Sequence, residues 1–370
     1  MKIGLSCYPT FGGSGVVASE LGMALADRGH EVHFITYAVP GRLNLCRPGV
    51  FYHEVTVPDY PLFEYPPYSL ALASKMAEVA RREGLSVMHA HYAIPHAASA
   101  LLARDILNGE LKVVTTLHGT DVTLVGRDPS FLPVTRHAIL ASDAVSAVSL
   151  FLRSEVCRTF TCDKPIRVIP NFIDPGEYEG IDTGPWRRRF APQGEKVITH
   201  ISNFRPVKRI DDVIEIFLAV RRKLPARLIL VGTGPDLPKA EQKIHDHQAE
   251  QDVFFLGNQL SIIEILSASD ILLLPSQTES FGLAALEAMA AGAVPIATES
   301  GGLPEVVQHG VTGFLAPVGE VETMVRYALE LLTNASLLEK ISAAAKAEAR
   351  EKFNIETALD AYEDLYRSVL

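Results

Sequence analysis

Two glutamates, eight residues apart, are the side chains in this sequence best suited to do chemistry. Glu279 follows an apolar run that ends at Pro275, and Glu287 lies between Phe281 and Gly292 in a segment that is otherwise apolar or glycine. A helix that is apolar on all sides is buried, and a buried carboxylate is costly unless donors bind it. Carboxylates on either side of free helix amides suit a ligand with hydroxyls at both ends and phosphates in the middle. Alternatively, Glu287 only pairs with a neighbouring cation.

A basic segment, residues 203–209, follows the first predicted strand of the second half of the chain. Its cations Arg205, Lys208 and Arg209 could neutralise the growing charge of a diphosphate leaving group. A short charged run taken alone is typical of a solvated surface. We favour a ligand site because the segment follows the carboxyl end of a strand.

A second group of polar side chains lies in the first half of the chain. His118 ends an apolar run, where it could donate a hydrogen bond to a substrate hydroxyl. Tyr92 and Arg136 could complete an anion-accepting pocket, although each could equally be a packing or surface residue. His89 and His91 alternate along a predicted strand and share one face, an arrangement that a metal hydrolase could use. No third ligand lies at a recognisable spacing, so we expect no metal.

A glycine-rich segment near the start of the chain matches the dinucleotide-binding pattern Gly-x-Gly-x-x-Ala at Gly13, Gly15 and Ala18. Glycines let the backbone approach a ligand, and the helix that follows offers free amides to an anion. The same pattern requires an acidic residue at the end of the second strand, which here ends in Thr36 and Tyr37. A nicotinamide dehydrogenase is therefore disfavoured, and a tight turn without a ligand remains as the other alternative.

These residues lie between short β-branched runs that alternate with helical patterns, which predicts parallel sheets with right-handed crossovers. The predicted strands cover residues 3–8, 32–37, 86–91, 113–117, 144–148, 197–202, 227–231, 253–256, 271–274 and 294–297. The segment 174–196 is rich in Gly, Pro and charge, and predicts a connection that could contain a peripheral helix.

The predicted fold is therefore α/β, with two Rossmann-like parallel-sheet domains that face each other across a cleft. We place the first domain at residues 1–168, with a C-terminal helix at about 354–370 packing back on it, and the second at 169–353. Any ligand site is expected at the carboxyl ends of the strands, in the cleft between the domains.

Composition limits the class of protein. The chain has 370 residues, which is too long for one ordinary hydrophobic core. Its residues are 48% apolar and 21% charged, a composition that excludes a disordered or coiled-coil protein. The 34 basic and 44 acidic residues give a net charge of −10, which argues against a protein that holds nucleic acid or a membrane surface. Four sparse cysteines, no signal-like segment and no long apolar segment lead us to expect a cytoplasmic protein.

Taken together, these motifs resemble those of the retaining GT-B glycosyltransferases of the nucleotide-sugar family four, and the match covers nearly the whole chain. Glu279 and Glu287 fit the Glu-x7-Glu motif of that family. The other segments that fall where the family has its motifs are 12–15, 203–208 and 232–235. Within this family, the sequence most resembles members that attach N-acetylglucosamine to L-malate at the start of bacillithiol biosynthesis. The segments that show this narrower resemblance are 7–9, 89–93, 116–121 and 202–209.

The resemblance implies UDP-N-acetylglucosamine as the donor and L-malate, through its hydroxyl, as the acceptor, with no cofactor and no metal. It implies that Arg205 and Lys208 bind the diphosphate and that Glu287 binds the uridine ribose. It also implies that Glu279 binds hydroxyls of the sugar and that His118 binds the 6-hydroxyl.

Further contacts are implied in the same way. The remaining donor-binding residues would be Gly15, Asn203, Gly232, Leu256, Ser280, Phe281, Gly282 and Leu283. Many family members have an arginine where this sequence has Asn203, so Arg205 must take over that role. The malate candidates, chosen because a dicarboxylate requires a cation and several neutral donors, are Ser14, Tyr92, Thr120 and Arg136.

The mechanism implied is attack on the same face of the sugar as the departing group, because no protein nucleophile is apparent. The departing phosphate would then accept the proton of the acceptor hydroxyl. Two alternatives remain: a family-four enzyme with another acceptor, and a nucleotide-sugar-binding protein without turnover. The sequence leaves open whether the chain forms a homo-oligomer.

Overall fold

The chain divides into two α/β units. The computed structural model describes residues 1–10, 12–57, 61 and 64–370. The first unit comprises residues 1–171 and 355–370, and the second comprises residues 172–354. The boundary expected from the sequence, after residue 168, lies three residues before the observed one.

The strands and helices alternate along the chain. The strands are β1 (Lys2–Ser6), β2 (Glu31–Thr36), β3 (Val50–Glu54), β4 (Val87–His91), β5 (Lys112–Leu117), β6 (Ala144–Ala147), β7 (Ile166–Val168), β8 (Lys196–Ile201), β9 (Ala226–Val231), β10 (Val253–Gly257), β11 (Ile271–Leu274), β12 (Val294–Thr298) and β13 (Phe314–Ala316). The helices are α1 (Ser14–Asp27), α2 (Tyr68–Glu83), α3 (Ala98–Ile106), α4 (Thr120–Thr123), α5 (Leu132–Ala141), α6 (Leu150–Phe160), α7 (Gly184–Phe190), α8 (Ile210–Arg221), α9 (Leu237–Asp246), α10 (Ile263–Ser267), α11 (Leu283–Ala291), α12 (Leu303–Val306), α13 (Val321–Thr333), α14 (Ala335–Lys352) and α15 (Ile355–Arg367).

Each unit is built on one sheet whose described strand pairs are all parallel. The first sheet has seven strands in the order β3-β2-β1-β4-β5-β6-β7, and the second has six in the order β10-β9-β8-β11-β12-β13. The prediction of two parallel-sheet α/β domains is therefore confirmed.

The strand order reverses beside the first strand of each sheet. β1 pairs with β2 on one side and β4 on the other, and β8 pairs with β9 and β11 in the same way. At such a point the two loops leave the sheet in opposite directions and open a crevice at the carboxyl ends of the strands, where ligands of open α/β sheets bind. The loops after β1 and β4, and those after β8 and β11, carry most of the residues expected to form the site.

Three observed strands, β3, β7 and β13, were not predicted, and each lies at the edge of its sheet. β7 and β13 have only 3 residues each, too few for a recognisable pattern. An edge strand can also be exposed on one face, which weakens its apolar pattern. β3 shows this directly, because Phe51 is 43% exposed. The segment 174–196, expected to be a connection, contains α7, whose Phe190 is buried and packs its ring against Phe254 with centroids 4.8 Å apart. Helix α7 therefore contributes to the core of the second unit through Phe190.

The C-terminal helix α15 belongs to the first unit. Its Tyr362 and Tyr366 are buried, and its acidic face pairs with Arg28 at the end of α1. The Tyr366 hydroxyl bonds Nδ1 of His89 in the central strand β4 at 2.8 Å, so α15 reaches the interior of this sheet. Among the described residues, no helix combines the length and the apolarity that a membrane span requires.

Candidate active site

The loop after β8 carries the predicted cations and is held tightly against the loop after β9. Phe204 is buried with a φ of 38°, a left-handed conformation that is strained for a residue with a side chain. Its carbonyl accepts a hydrogen bond from the Asp236 amide at 2.9 Å. Gly232, with a φ of 116°, lies so close to Ser202 that a Cβ would overlap the Ser202 carbonyl oxygen. The glycine of the β9 loop is therefore required by this backbone approach, whatever ligand it also contacts.

Lys208 and Glu279 are brought into direct contact. Lys208 lies at the end of a short 3₁₀ turn, and its Nζ is 2.5 Å from Oε1 of Glu279. Ser276, fully buried, donates its hydroxyl to the same carboxylate oxygen at 2.8 Å. The backbones join as well, because the Gln277 amide donates to the Val207 carbonyl at 2.8 Å. The two loops predicted separately from the sequence thus form one cluster, the carboxylate cluster, consisting of Lys208, Ser276 and Glu279.

A third loop, which the sequence analysis did not single out, supports the carboxylate cluster. It follows β12 and contains Gly301 and Gly302. Gly301 has a φ of 66°, and a Cβ there would overlap the carbonyl oxygen of Glu279. The Gly302 amide donates to that same carbonyl at 2.8 Å. These glycines therefore fix the backbone of Glu279 and with it the direction of the carboxylate.

Helix α11 begins at Leu283 and ends at Ala291, before Gly292, and its residues from Ala285 onward are buried. Glu287 is only 6% exposed within it, as expected for the one carboxylate of a buried helix. The first amides of a helix have no acceptor within the helix and carry partial positive charge. The N-terminus of α11 is thus a suitable place for an anion between Glu279 and Glu287.

The other predicted donor residues of the second unit lie at the same ends of the strands. Asn203 and Arg205 are exposed, and among the described contacts the Arg205 guanidinium has no hydrogen-bond partner. Ser280 is partly buried in the loop before α11. The Leu256 carbonyl, near the end of β10, accepts a hydrogen bond from the Gln259 side chain at 2.6 Å.

His200, in the central strand β8, is a buried residue that the sequence analysis missed. Its Nδ1 lies 2.9 Å from the Leu273 carbonyl oxygen, which can only accept, so Nδ1 carries the proton. Nε2 then accepts from the Ser202 hydroxyl at 2.8 Å. Burial lowers the pKa of His200 to about 4, against the opposing effect of the Leu273 hydrogen bond. This neutral imidazole ties β8 to β11 beneath the carboxylate cluster.

In the first unit, His118 contacts a second histidine. Nε2 of the partly buried His118 lies 2.8 Å from Nδ1 of His91, which is fully buried in β4. The rings of His89 and His91 are packed with centroids 4.3 Å apart. We call His89, His91, His96 and His118 the histidine cluster. Burial lowers the pKa of His118 to about 3, so the ring is neutral at neutral pH.

A buried carboxylate organises the loop that carries His118. Asp121 accepts hydrogen bonds from the amides of Ala93 (3.1 Å), His118 (3.3 Å) and Gly119 (2.9 Å). Burial raises the pKa of Asp121 to about 6, although these three amides act in the opposite direction. Asp121 therefore joins the loop after β4 to the loop after β5, and it was not predicted as a site residue.

Tyr92 follows β4 with a φ of 88°, and its amide donates to the Thr116 carbonyl at 2.9 Å. A strained backbone at the end of a central strand is typical of a residue held in place for function. Its ring lies between those of Tyr8 and His118, at centroid distances of 5.3 and 5.4 Å. Tyr92 and His118, predicted for different ligands, are therefore neighbours.

The remaining predicted residues of the first unit are at separate places. Ser14 is the first residue of α1 and is buried, and Gly15 lies against the carbonyls of Tyr8 and Thr10. Thr120 is the first residue of α4. Arg136 is exposed on α5, and its Nε donates to the Phe160 carbonyl at 2.9 Å. This bond links Arg136 to the end of α6. The role of Arg136 in binding malate stays a prediction.

Metal ligation was considered from the sequence for His89 and His91. Within the described ranges, the group of potential ligands close enough to share an ion is instead His33, His53 and Glu83, at the β2–β3 edge of the first unit. Arg82, which can only donate, lies 3.3 Å from Nδ1 of His53. Nε2 of His53 then carries the proton, directed at Nδ1 of His33 at 3.0 Å. These contacts describe a hydrogen-bonded pair rather than a set of free ligands.

Comparison with known proteins agrees with this architecture. A family model described as Glycosyltransferase Family 4 matches residues 11–177, and one described as Glycosyl transferases group 1 matches residues 185–348. The chain is 46% identical over its full length to the N-acetyl-alpha-D-glucosaminyl L-malate synthase of Bacillus anthracis, of which it covers 97%. It is 27% identical to the uncharacterized glycosyltransferase MJ1607 of Methanocaldococcus jannaschii, over 93% of this chain and 91% of that one.

Among solved structures, Anabaena Alr3699/HepE in complex with UDP-glucose is similar, with a TM-score of 0.84 at 21% identity over 100% of both chains. Sucrose-phosphate synthase from Thermosynechococcus elongatus gives a TM-score of 0.82 at 20% identity, over 100% of this chain and 99% of that one. At these identities the similarity shows the fold alone, and it confirms the predicted GT-B class.

Proposed function

The chain belongs to glycosyltransferase family 4, and from this we propose that it transfers N-acetylglucosamine from UDP-N-acetylglucosamine to the hydroxyl of L-malate with retention of configuration. This reaction would be the first step of bacillithiol biosynthesis. The observation that carries the proposal is the 46% identity over the full chain to a protein named as the enzyme for this sugar and this acceptor. The contacts within the carboxylate cluster and the histidine cluster support the roles that we assign to their residues.

For the donor, we assign the diphosphate to Lys208, to Arg205 and to the first amides of α11. Arg205 is exposed with its guanidinium unbonded among the described contacts, so it can turn toward an anion without breaking a bond. Glu287, buried one turn and more inside α11, would accept the two ribose hydroxyls. Fixed positive groups next to the leaving phosphate stabilise the charge that develops there, which is the main source of rate.

For the sugar, we assign hydroxyls to Glu279 and the 6-hydroxyl to His118. The Lys208–Glu279 pair has a consequence for this assignment. When a diphosphate binds Lys208, the ammonium gains a second anionic partner, and one oxygen of Glu279 can turn to sugar hydroxyls while Ser276 holds the other. Donor binding and the orientation of the sugar-binding carboxylate would therefore be coupled.

For the acceptor, we assign malate to Ser14, Tyr92, Thr120 and Arg136. Attack by the malate hydroxyl would form the new C–O bond on the face that the phosphate leaves. As the bond to UDP lengthens, its phosphate oxygen would accept the malate proton, so the protein need not supply a base. Glu279 has no role as a nucleophile in this mechanism, because the malate hydroxyl attacks the anomeric carbon directly. The proposal requires no metal and no cofactor.

The direct test is an acceptor screen with purified protein and UDP-N-acetylglucosamine, in which mass spectrometry follows UDP release and product mass. L-malate should give stoichiometric UDP and an adduct of malate with N-acetylglucosamine. Succinate, which has the two carboxylates and no hydroxyl, is the matched control and should give neither. Turnover with another hydroxy acid and none with malate would support the first alternative, a family-four enzyme with a different acceptor. Tight UDP binding without turnover on any acceptor would support a binding protein.

A further inference from the structure

We propose that His91 is a positioning residue that holds His118 in the tautomer with its proton on Nδ1, so that His118 presents a hydrogen-bond donor to its ligand. The tautomer itself follows from the protein alone. Only the use of that donor, to bind the sugar of a nucleotide-sugar, rests on the proposed function.

The rings of His91 and His118 are in contact, with centroids 5.0 Å apart. Nδ1 of His91 and Nε2 of His118 are 2.8 Å apart, a hydrogen-bond distance. One proton must lie between these nitrogens, because two lone pairs or two N–H groups at this separation would repel. The proton belongs either to His91 or to His118, and the surroundings of the two rings must decide which.

Both rings are neutral, so each carries a single proton. Burial lowers the pKa of His118 to about 3, and burial together with the neighbouring histidines holds the pKa of His91 well below its ordinary value. Two arrangements therefore remain. If His118 donates from Nε2, then His91 must hold its own proton on Nε2. If His91 donates from Nδ1, then His91 Nε2 is a lone pair and His118 has its proton on Nδ1.

The environment of His91 Nε2 decides between these arrangements. This atom is buried and has no hydrogen-bond partner among the described residues. A buried N–H group without an acceptor is rare in proteins, and an unmet donor costs a full desolvation penalty. An unpaired nitrogen lone pair is the better tolerated of the two. The arrangement in which His91 donates to His118 is therefore favoured.

The position of His91 is itself fixed. Its ring packs on that of His89, and both nitrogens of His89 are bonded, Nε2 to the Thr116 hydroxyl at 2.7 Å and Nδ1 to the Tyr366 hydroxyl at 2.8 Å. Tyr366 belongs to α15, so the C-terminal helix helps to immobilise the ring that supports His91. His91 cannot turn away from His118 without disturbing this packing.

His118 therefore presents a hydrogen-bond donor at Nδ1 in a fixed orientation. His118 is partly exposed, and no partner within the described chain bonds its Nδ1. With a proton fixed on Nδ1 and a neutral ring, His118 donates to a hydroxyl oxygen and adds no charge to the site. A hydroxyl that accepts this bond keeps its own proton free for an acceptor elsewhere. Without His91, an imidazole favours the Nε2–H tautomer and Nδ1 would become an acceptor.

The test is a long-range ¹H–¹⁵N NMR spectrum of the full chain labelled at histidine, which reports which nitrogen of each ring is protonated. His118→Gln assigns the His118 signals. We expect the Nδ1–H tautomer for His118 in the unmodified protein, and an Nε2–H tautomer there would overturn the proposal. This measurement requires no substrate, so it remains decisive even if the protein fails to turn over malate.

Two variants of similar size then test the cause. His91→Asn keeps an N–H donor near the position of Nδ1 and should retain the Nδ1–H tautomer of His118. His91→Leu removes the donor and should shift His118 toward Nε2–H. In turnover assays, His91→Leu should raise the KM for UDP-N-acetylglucosamine about three- to tenfold, with the KM for malate unchanged and with Asn restoring most of the loss.

Equal tautomers in the Asn and Leu variants would contradict the role of His91. If the Leu variant does not fold, the spectrum of the unmodified protein decides alone. A confirmed Nδ1–H tautomer in a protein that releases no UDP with any acceptor would leave the tautomer assignment standing and would refute the proposed function.

Discussion

Nζ of Lys208 lies 2.5 Å from Oε1 of Glu279, across 71 residues of sequence. The cation assigned to the diphosphate and the carboxylate assigned to the sugar thus bind each other. Both side chains are largely withdrawn from solvent, at 19% and 13% exposure, so their charges interact more strongly than those of a surface pair. A diphosphate bound as proposed would share Lys208 with Glu279 and so compete with it for the cation. This competition would distinguish the two glutamates of the motif.

The first prediction contrasts Glu279→Gln with Glu287→Gln. Glu279→Gln should keep UDP affinity equal to that of the unmodified protein or up to about threefold tighter, because the anion competing for Lys208 is gone. Its kcat should fall roughly a hundredfold, since a contact to the reacting sugar is lost. Glu287→Gln should weaken UDP binding about tenfold or more, because an amide offers one acceptor where a carboxylate offers two.

Calorimetry with UDP and steady-state kinetics measure these effects. Glu215→Gln is the matched control, since Glu215 forms an exposed ion pair with Lys243 at 2.7 Å and should change neither quantity. Weaker UDP binding in Glu279→Gln would show that the Glu279 carboxylate supports anion binding at Lys208 instead of competing with the anion. Unchanged UDP affinity in folded Glu287→Gln would rule out the ribose assignment.

The second prediction concerns Arg136, the candidate cation for malate. Arg136→Ala should raise the KM for malate roughly tenfold or more and leave UDP affinity nearly unchanged, because a charge-assisted bond to one substrate is lost. Arg153, an exposed arginine on the neighbouring α6, provides the control Arg153→Ala. If both variants keep the malate KM of the unmodified protein, the contact of Arg136 with the Phe160 carbonyl is structural and another residue binds the carboxylates.

The third prediction concerns Asp121, which accepts three backbone hydrogen bonds. Asp121→Asn replaces one oxygen by a donor, so the variant leaves at least one buried amide without an acceptor. Unfolding free energy should fall by about 1–3 kcal/mol, measured by chemical denaturation. Asp128→Asn is the control, because the exposed Asp128 accepts one bond, from the Ser130 amide at 2.8 Å, which an amide oxygen can retain. Equal stability of the two variants would mean that Asp121 does not hold the His118 loop.

The fourth prediction concerns pH. Burial lowers the pKa of His200 to about 4 and that of His89, His96 and His118 to about 3, whereas a histidine in the unfolded chain has a pKa near 6.5. The unfolded chain therefore binds protons first, so stability is complete above pH 6.5 and is lost as the pH falls toward these folded values. His200 alone should remove about 2 kcal/mol by pH 5.

One group opposes this trend. The raised pKa of Asp121, about 6, favours the folded chain as the pH falls through that value. It is one group against several buried histidines, since burial also lowers the pKa of His91. Denaturation at pH 7.5, 6 and 5 should show the decline, and His200→Gln should show a shallower one. The exposed His137 gives the control His137→Gln, whose decline should match that of the unmodified protein. Stability that rises toward pH 5 would contradict the buried neutral histidines.

How far the sequence predicted the fold depended on burial. Central strands such as β1 and β11 are buried along almost their whole length, and their apolar residues located them within one or two residues. The edge strand β3 was missed because it is exposed and polar along much of its length. The edge strands β7 and β13 were missed because each has only 3 residues, too few for a recognisable pattern. Helix α7 was left open, since its Pro, Gly and arginine content is typical of a connection.

The sequence motifs identified individual residues of the site but did not show which of these residues contact each other. Glu279 and Lys208 were each identified, but nothing in their spacing showed that they bind each other. Asp121 and His200 were missed because their function depends on what surrounds them: three amides in one case, and a carbonyl and a hydroxyl in the other. The alternation of His89 and His91 along one face was considered as a metal-binding arrangement and disfavoured, and nothing in the spacing indicated that His91 contacts His118.

The anomeric configuration of the product made from UDP-N-acetylglucosamine and L-malate shows whether the proposed transfer occurs and whether it retains configuration. The reaction should be run in the presence of EDTA and followed by ¹H NMR from the first turnovers, and the coupling of the anomeric proton identifies the configuration. We expect an α-linked N-acetylglucosaminyl malate, formed at a rate that EDTA does not change, with one UDP released per product. A β-linked product, or no malate adduct from folded protein that binds UDP, would contradict this expectation.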